Sequence, residues 1–398
     1  MQTIEYLHQH VIYENPQPML RSRHAYFPGV IQLPSGDLLA LFTIGEAFES
    51  VDLTTYVARS NDLGETWKLQ GPLYDKSIDT LPTSDFLKPQ VLRDGRLIAL
   101  GYRFHRLHPG QPLAIKETDG VLPGDDVVSF STDAGHTWSV PRVIPHRTPE
   151  FVEIPSRCLQ LRSGDIVATG GLFKLPDGAN PSGQFGVLWR SRDNGETWDD
   201  SVRFFESPSP TIAAYESHIC EMQEGRLIAI CWAIDVFSGK RYPNQVTVSH
   251  DNGYTWSPPI DTGHMGEAAN LMSLGDDRLM SVHCHRGKDV GLYVRVIDFS
   301  KDQWRVVEEK LIWGQSMRQQ ARDGQRFHEA VWAIRFGQAS LLPLSNGDIL
   351  VTHWAIIDGQ GKILTHRLRL QDDPTLRQDA ATWQKRPAKS MPGLVEQL

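Results

Sequence analysis

Apolar and polar positions run along this chain in short, paired stretches. "VIQLPSGDLLAL" (30–41), "PQVLRDGRLIAL" (89–100), "CLQLRSGDIVAT" (158–169), "ICEMQEGRLIAI" (219–230), "LMSLGDDRLMSV" (271–282) and "LLPLSNGDILVT" (341–352) each set two apolar runs around a turn rich in Gly, Asp and Ser. Runs of five or six residues separated by such a turn predict β-hairpins. The turn centres, Gly36, Gly95, Gly164, Gly225, Asp277 and Gly347, recur about every 60 residues, which marks a repeat architecture. A second strand pair is predicted in each unit, because "TTYVAR" (54–59), "DDVVSF" (125–130), "FGVLWR" (185–190) and "NQVTV" (244–248) follow the first four hairpins. In the fifth unit "LYVRVIDFSKDQW" (292–304) holds that place.

Six units of four antiparallel strands predict an all-β, six-bladed β-propeller. Its blades open near residues 26, 85, 154, 215, 267 and 337 of one domain spanning 1–398. The opening segment "IEYLHQHVIYE" (4–14) is expected to supply a strand that closes the ring against the last blade, and no helix pattern competes. The tail from Gln371 onward is polar and irregular.

One octapeptide closes each of the first four units: "SNDLGETW" (60–67), "STDAGHTW" (131–138), "SRDNGETW" (191–198) and "SHDNGYTW" (249–256). Asp accepts backbone amides in a tight turn, Gly supplies positive φ, and Trp pins the turn with apolar area. Equivalent acids on four blades cannot all face one axial site, so the octapeptide belongs to the frame.

Four copies of S-x-D-x-G-x-T-W resemble the Asp-box of the sialidase (neuraminidase) superfamily, and the likeness extends over roughly residues 20 to 370. It implies a propeller whose mouth clamps a carboxylate with three arginines, with a tyrosine nucleophile activated by a glutamate and an aspartate as general acid. Glu216 in "YESHICEMQEGRLIAI" matches the activating glutamate. Other positions depart from the pattern. Tyr26 of "AYFP" stands where the first arginine is expected, with Arg21 and Arg23 just upstream. Trp232 stands at the second arginine and Gln338 of "QASL" at the nucleophile, while Arg286 falls a few residues from the third arginine. The general acid is expected in "TIGEAFESVD" (43–52), from Glu46, Glu49 or Asp52, with Glu49 closest in spacing.

The predicted mouth loops "YRFHRLHPG" (102–110), "CWAIDVFSGKRYPN" (231–244), "HCHRGKD" (283–289) and "RFHEAVWAIRFGQ" (326–338) add groups suited to a sugar. Arg103, His105, Arg106, Lys240, Arg241, His285, Arg286 and Arg335 offer positive charge. Strand starts add Arg23, His24, Lys88, Arg157, Glu216 and His218. Trp232, Trp313, Trp332 and Trp354 offer stacking faces. His283 and His285 share one face of a strand, but no third ligand follows, so no metal and no cofactor is expected.

The chain has 398 residues, 40% hydrophobic and 22% charged, with a net charge of -8. The acidity without a long basic run argues against nucleic acid, and no apolar stretch is long enough to span a membrane. Four scattered cysteines argue against a disulfide framework. No basic n-region precedes an apolar run, so a cytoplasmic location is expected, or a secreted or periplasmic one if a leader has been removed. The reading is a sialidase-like glycoside hydrolase acting on a terminal acidic or unusual sugar, with Glu216 and one of Glu46, Glu49 or Asp52 as its carboxyl pair. The alternatives are a lyase or rhamnosidase-type propeller using Tyr26, His24 or His218, and a non-catalytic propeller that binds a glycan or a protein.

Overall fold

The computed structural model describes residues 2–222 and 225–372, so most of the polar tail lies outside the described residues. Six antiparallel sheets follow one another along the chain as the blades of a propeller. Blade 1 runs His24–Gln32, Leu38–Gly45, Thr54–Ser60 and Lys68–Pro72 from the axis outward. Blades 2, 4 and 5 repeat that order from Thr83–Val91, Ile212–Glu221 and Ala269–Gly275. In blade 3 the inner strand is broken into Val152–Glu153 and Leu159–Gln160, both paired with Ile166–Leu172. Blade 6 holds Phe336–Pro343, Ile349–Ile357 and Gln360–Asp372, and the N-terminal strand Gln2–Tyr13 completes it as the outermost strand. The ring is therefore closed by pairing the two ends of the described chain.

Burial follows position in the blade. Each second strand is sandwiched between neighbouring blades, so both its faces are apolar and Leu38–Gly45 is buried at every residue. The outer strand Lys68–Pro72 faces solvent along most of its length. The four cysteines are free and buried.

All four octapeptides adopt one geometry. In the second, the Asp133 carboxylate accepts the Thr137 amide at 2.9 Å, the Thr137 hydroxyl at 2.6 Å and the His136 amide at 3.0 Å. These Thr137 and backbone donors hold its acidity well below the usual carboxylate pKa. Two consecutive residues take positive φ, Ala134 at 58° and Gly135 at 84°, where only Gly had been expected to. Each turn is also gripped from the blade before it. Arg59 donates to the Ala134 carbonyl at 2.6 Å, Arg96 to Asn194 at 3.4 Å and Arg190 to Asn252 at 2.6 Å. Arg367 of blade 6 donates to Leu63, carrying the pattern across the closure. The octapeptides thus staple blade to blade. Asp133→Ala is expected to lower unfolding free energy by on the order of 1 kcal/mol, the net worth of a hydrogen bond. Urea unfolding measures that loss, and turnover of the folded variant stays at the wild-type value.

Candidate functional site

Three inner strands carry the same irregularity. Between Tyr26 and Gly29, between Tyr215 and His218, and between Gly337 and Ser340, two residues on the inner strand oppose one on the second strand. The first residue of each bulge has positive φ: Phe27 at 56°, Glu216 at 46° and Gln338 at 44°. Left-handed backbone at a non-glycine residue costs energy, and bulges re-aim side chains. All three side chains line one cavity at the mouth of the central channel, about 110 Å³ in volume.

The wall of that cavity is largely aromatic, with Phe86, Tyr102, Phe104, Phe173, Tyr215 and Trp232 around it. Its polar floor centres on two glutamates from adjacent blades. Glu216 receives Arg286 through both terminal nitrogens, at 2.9 Å and 3.2 Å, a bidentate pair. Arg286 is fixed in turn, because its Nε donates to the Phe336 carbonyl at 3.0 Å and its amide to Glu267 at 2.8 Å. Burial alone would lower the Arg286 pKa, but the Glu216 charge keeps it above the ordinary value. Gly337 makes room for this guanidinium, since a Cβ there would lie 2.2 Å from one of its nitrogens. Glu267 also meets Arg241 at 3.3 Å, so its carboxyl group is shared between Arg241 and the Arg286 amide.

Glu153 is the second glutamate. Its carboxylate accepts the Glu216 amide at 2.9 Å, and the preceding Val152 amide is tied to Asp126 at 3.2 Å. Burial first, and then the Glu216 charge, push the Glu153 carboxyl up to about 8. An acid with a raised pKa therefore stands beside one forked to a guanidinium, two carboxyl groups in contrasting environments as acid–base chemistry on one fold requires. Below them Lys88, Arg157, Glu216 and Gln338 line the narrow axial channel, and burial lowers Lys88 to about 7.

Three segments roof the cavity: residues 46–53, 106–123 and 314–335. The last contains a short helix, Phe327–Ala333, that the hydrophobic pattern did not reveal. Its first amides are capped from another blade: Asp119 accepts Phe327 at 2.9 Å, His328 at 3.2 Å and the His328 ring at 3.0 Å. Glu49 joins all three segments, accepting the Ala114 amide at 2.9 Å and the Trp332 indole at 2.7 Å. A wider outer pocket of about 450 Å³ shares Phe48, Glu49, Val331 and Ile334 with the cavity and leads into it.

Of the residues expected from sequence, Glu216, Glu49, Trp232 and Gln338 line the cavity, with Arg286 behind Glu216 and Lys88 and Arg157 in the channel. Others lie elsewhere. Tyr26 is buried in the seam with blade 6, edge-on to Trp354 at 5.3 Å. Asp52 closes its own loop by accepting the Glu46 amide at 2.9 Å, and Arg23 pairs with it at 3.7 Å. His24 accepts the Gly361 amide at 2.8 Å. Arg103 and His105 share Asp125, at 3.0 Å and 2.9 Å. Arg157 spans the axis to the Val30 and Leu341 carbonyls at 3.3 Å and 2.9 Å. His218 accepts the Leu271 amide at 3.2 Å, and burial with the Arg157 charge lowers it to about 3. Arg335 faces the outer pocket and donates to the Trp332 and Ile334 carbonyls. The His283 ring spends both nitrogens on Asn244 and Ser281, which leaves none for a metal. Glu153 and Phe27 were not anticipated. The one signal for Glu153 is an acid in the apolar run "FVEIP" at a blade opening.

Neither a family model nor a curated protein sequence matches the chain. Solved structures do. A protein of unknown function from Dyadobacter fermentans superimposes with a TM-score of 0.72 at 19% identity, over 92% of this chain and 99% of that one. The α-L-arabinanase of Penicillium chrysogenum, solved with arabinobiose, gives 0.60 at 15% identity, over 91% and 98%. A mutant NanB sialidase of Streptococcus pneumoniae gives 0.59 at 12% identity, over 91% and 70%. At these identities the likeness establishes the propeller fold.

Proposed function

We propose that this protein is a glycoside hydrolase that takes a neutral sugar ring into the aromatic cavity. The observation that carries the reading is the pair of Glu153, buried and with its pKa raised to about 8, and Glu216, forked to the Arg286 guanidinium. Glu153 gives its proton to the leaving oxygen as the glycosidic bond breaks, Glu216 faces the positive charge that develops at the anomeric carbon, and water then adds to that carbon and returns a proton to Glu153. The aromatic walls offer stacking faces to the ring, and the outer pocket receives the leaving group. Structural neighbours that include an arabinanase and sialidases support action on a glycan.

The absence of basic side chains among the residues lining the cavity favours a neutral ring over the anionic one expected from sequence. Arg286 is already paired with Glu216, and Lys88 lies below the cavity in the channel, 5.8 Å from the Phe27 ring. The same observation weighs against elimination from a uronate, which needs a cation on the carboxylate and a free base. A panel of neutral aryl glycosides, arabino-oligosaccharides, sialosides and uronates tests the reading. Reducing sugar is expected from neutral substrates, without an ultraviolet-absorbing product. Release that persists undiminished in a Glu153→Gln, Glu216→Gln double variant, or cleavage confined to sialosides or uronates, would overturn it.

A further inference from the structure

A cluster unrelated to the cavity sits where the ring closes. His8 and His10 lie two residues apart on the closing strand Gln2–Tyr13, just past a register shift between Tyr6 and His8. Their rings meet edge to face at 4.5 Å. Both turn Nε2 toward one carboxylate of blade 1: His8 lies 3.5 Å from one Glu65 oxygen and His10 3.2 Å from the other. The three ligand atoms fall within 4.8 Å of one another. Tetrahedral zinc with bonds of about 2.0–2.1 Å sets its ligand atoms roughly 3.4 Å apart.

We propose that His8, His10 and Glu65 form a binding site for a divalent transition ion, zinc foremost, which clasps the N-terminal strand to blade 1. Two imidazoles and one carboxylate are a donor set of the kind zinc takes, with water completing the shell. The side chains are about a third to under half exposed, at 37%, 33% and 45%, so ion and water have access. Charge permits it as well. Arg367 lies 3.4 Å from Glu65, Asp348 3.7 Å from Arg367 and Arg369 2.8 Å from Asp348, so with neutral imidazoles the surrounding charges balance and leave no net positive charge to repel a cation. Glu65 belongs to the octapeptide turn of blade 1, whereas the histidines belong to blade 6. The ion therefore bridges the seam between blades 6 and 1, which Arg367 already spans through the Leu63 carbonyl.

Isothermal titration of zinc chloride into the chelator-stripped full chain tests this, together with thermal unfolding. One ion per chain with micromolar affinity is expected, and a melting temperature that rises to saturation. Cobalt should give the visible absorption of a tetrahedral N/O site. His8→Ala, His10→Ala and Glu65→Gln should each weaken binding at least tenfold and remove that absorption, with far-ultraviolet dichroism of the metal-free variants unchanged. No zinc binding in the micromolar range, or binding and absorption that survive in the His8→Ala, His10→Ala double variant, would overturn the site.

Discussion

Glu153→Gln lowers kcat by about 10²–10⁴-fold, the usual worth of a positioned general acid. The amide keeps an oxygen for the Glu216 N–H at 2.9 Å, so the floor of the cavity retains its shape while losing its proton donor. The pH profiles separate loss of chemistry from loss of structure. Glu153 titrates at about 8, so wild-type kcat falls as pH rises through that value, and the variant's residual rate lacks this limb. Stability moves in the same sense. A folded pKa raised above the unfolded 4.5 means that folded protein binds the proton more tightly. The contribution of Glu153 to stability is therefore complete below pH about 4.5 and is lost as pH rises through about 8. Glutamine does not titrate, so the variant's stability relative to wild type improves across that window. Stopped assays with aryl glycosides and urea unfolding at several pH values check both statements. An alkaline limb that persists in Glu153→Gln would assign it to another group.

The frame was legible in the sequence because its signals are local. Turn residues, strand runs and the octapeptides each act within about a dozen positions, and their period carried the blade count. The site was legible only where one residue's neighbours in sequence are also its setting. Glu216 was found from its own strand. Glu153 was not, because blade 3's inner strand breaks after it and its carboxyl acquires meaning only from Glu216 on the next blade. The bulges explain the shift from Tyr26 to Phe27. An extra residue in a strand exchanges the side chains that face each way, so "AYFP" delivers its phenylalanine to the mouth and its tyrosine to the seam. The roof helix escaped for the same reason, since seven residues capped by Asp119 from another blade leave little local pattern. The role of one charge changes for a related cause. Arg286 reads in sequence as a free cation for an anionic sugar, whereas folding consumes it on Glu216.

Arg286→Met is expected to cost about 3–5 kcal/mol of unfolding free energy, because it strands a buried carboxylate rather than removing a pair. Both terminal nitrogens serve Glu216, and the Nε bond to the Phe336 carbonyl ties blade 5 to blade 6, so the loss spreads over two blades. Turnover should fall together with stability, since Glu216 then lacks the fork that positions it next to Glu153. Two companion variants divide these effects. Arg286→Lys keeps the charge and loses the fork, and should recover part of the stability but little of kcat. Gly337→Ala leaves the guanidinium in the chain but drives a Cβ to within 2.2 Å of it, which forces the fork away from its place. A fall in kcat larger than the fall in stability is expected there, because the charge remains buried while its aim is lost. Urea unfolding and kcat on a neutral aryl glycoside measure the set. If Arg286→Met folds and turns over within a few-fold of wild type, Glu216 is not the partner of Glu153, and the carboxyl pair has to be sought between Glu153 and Glu49 at the rim.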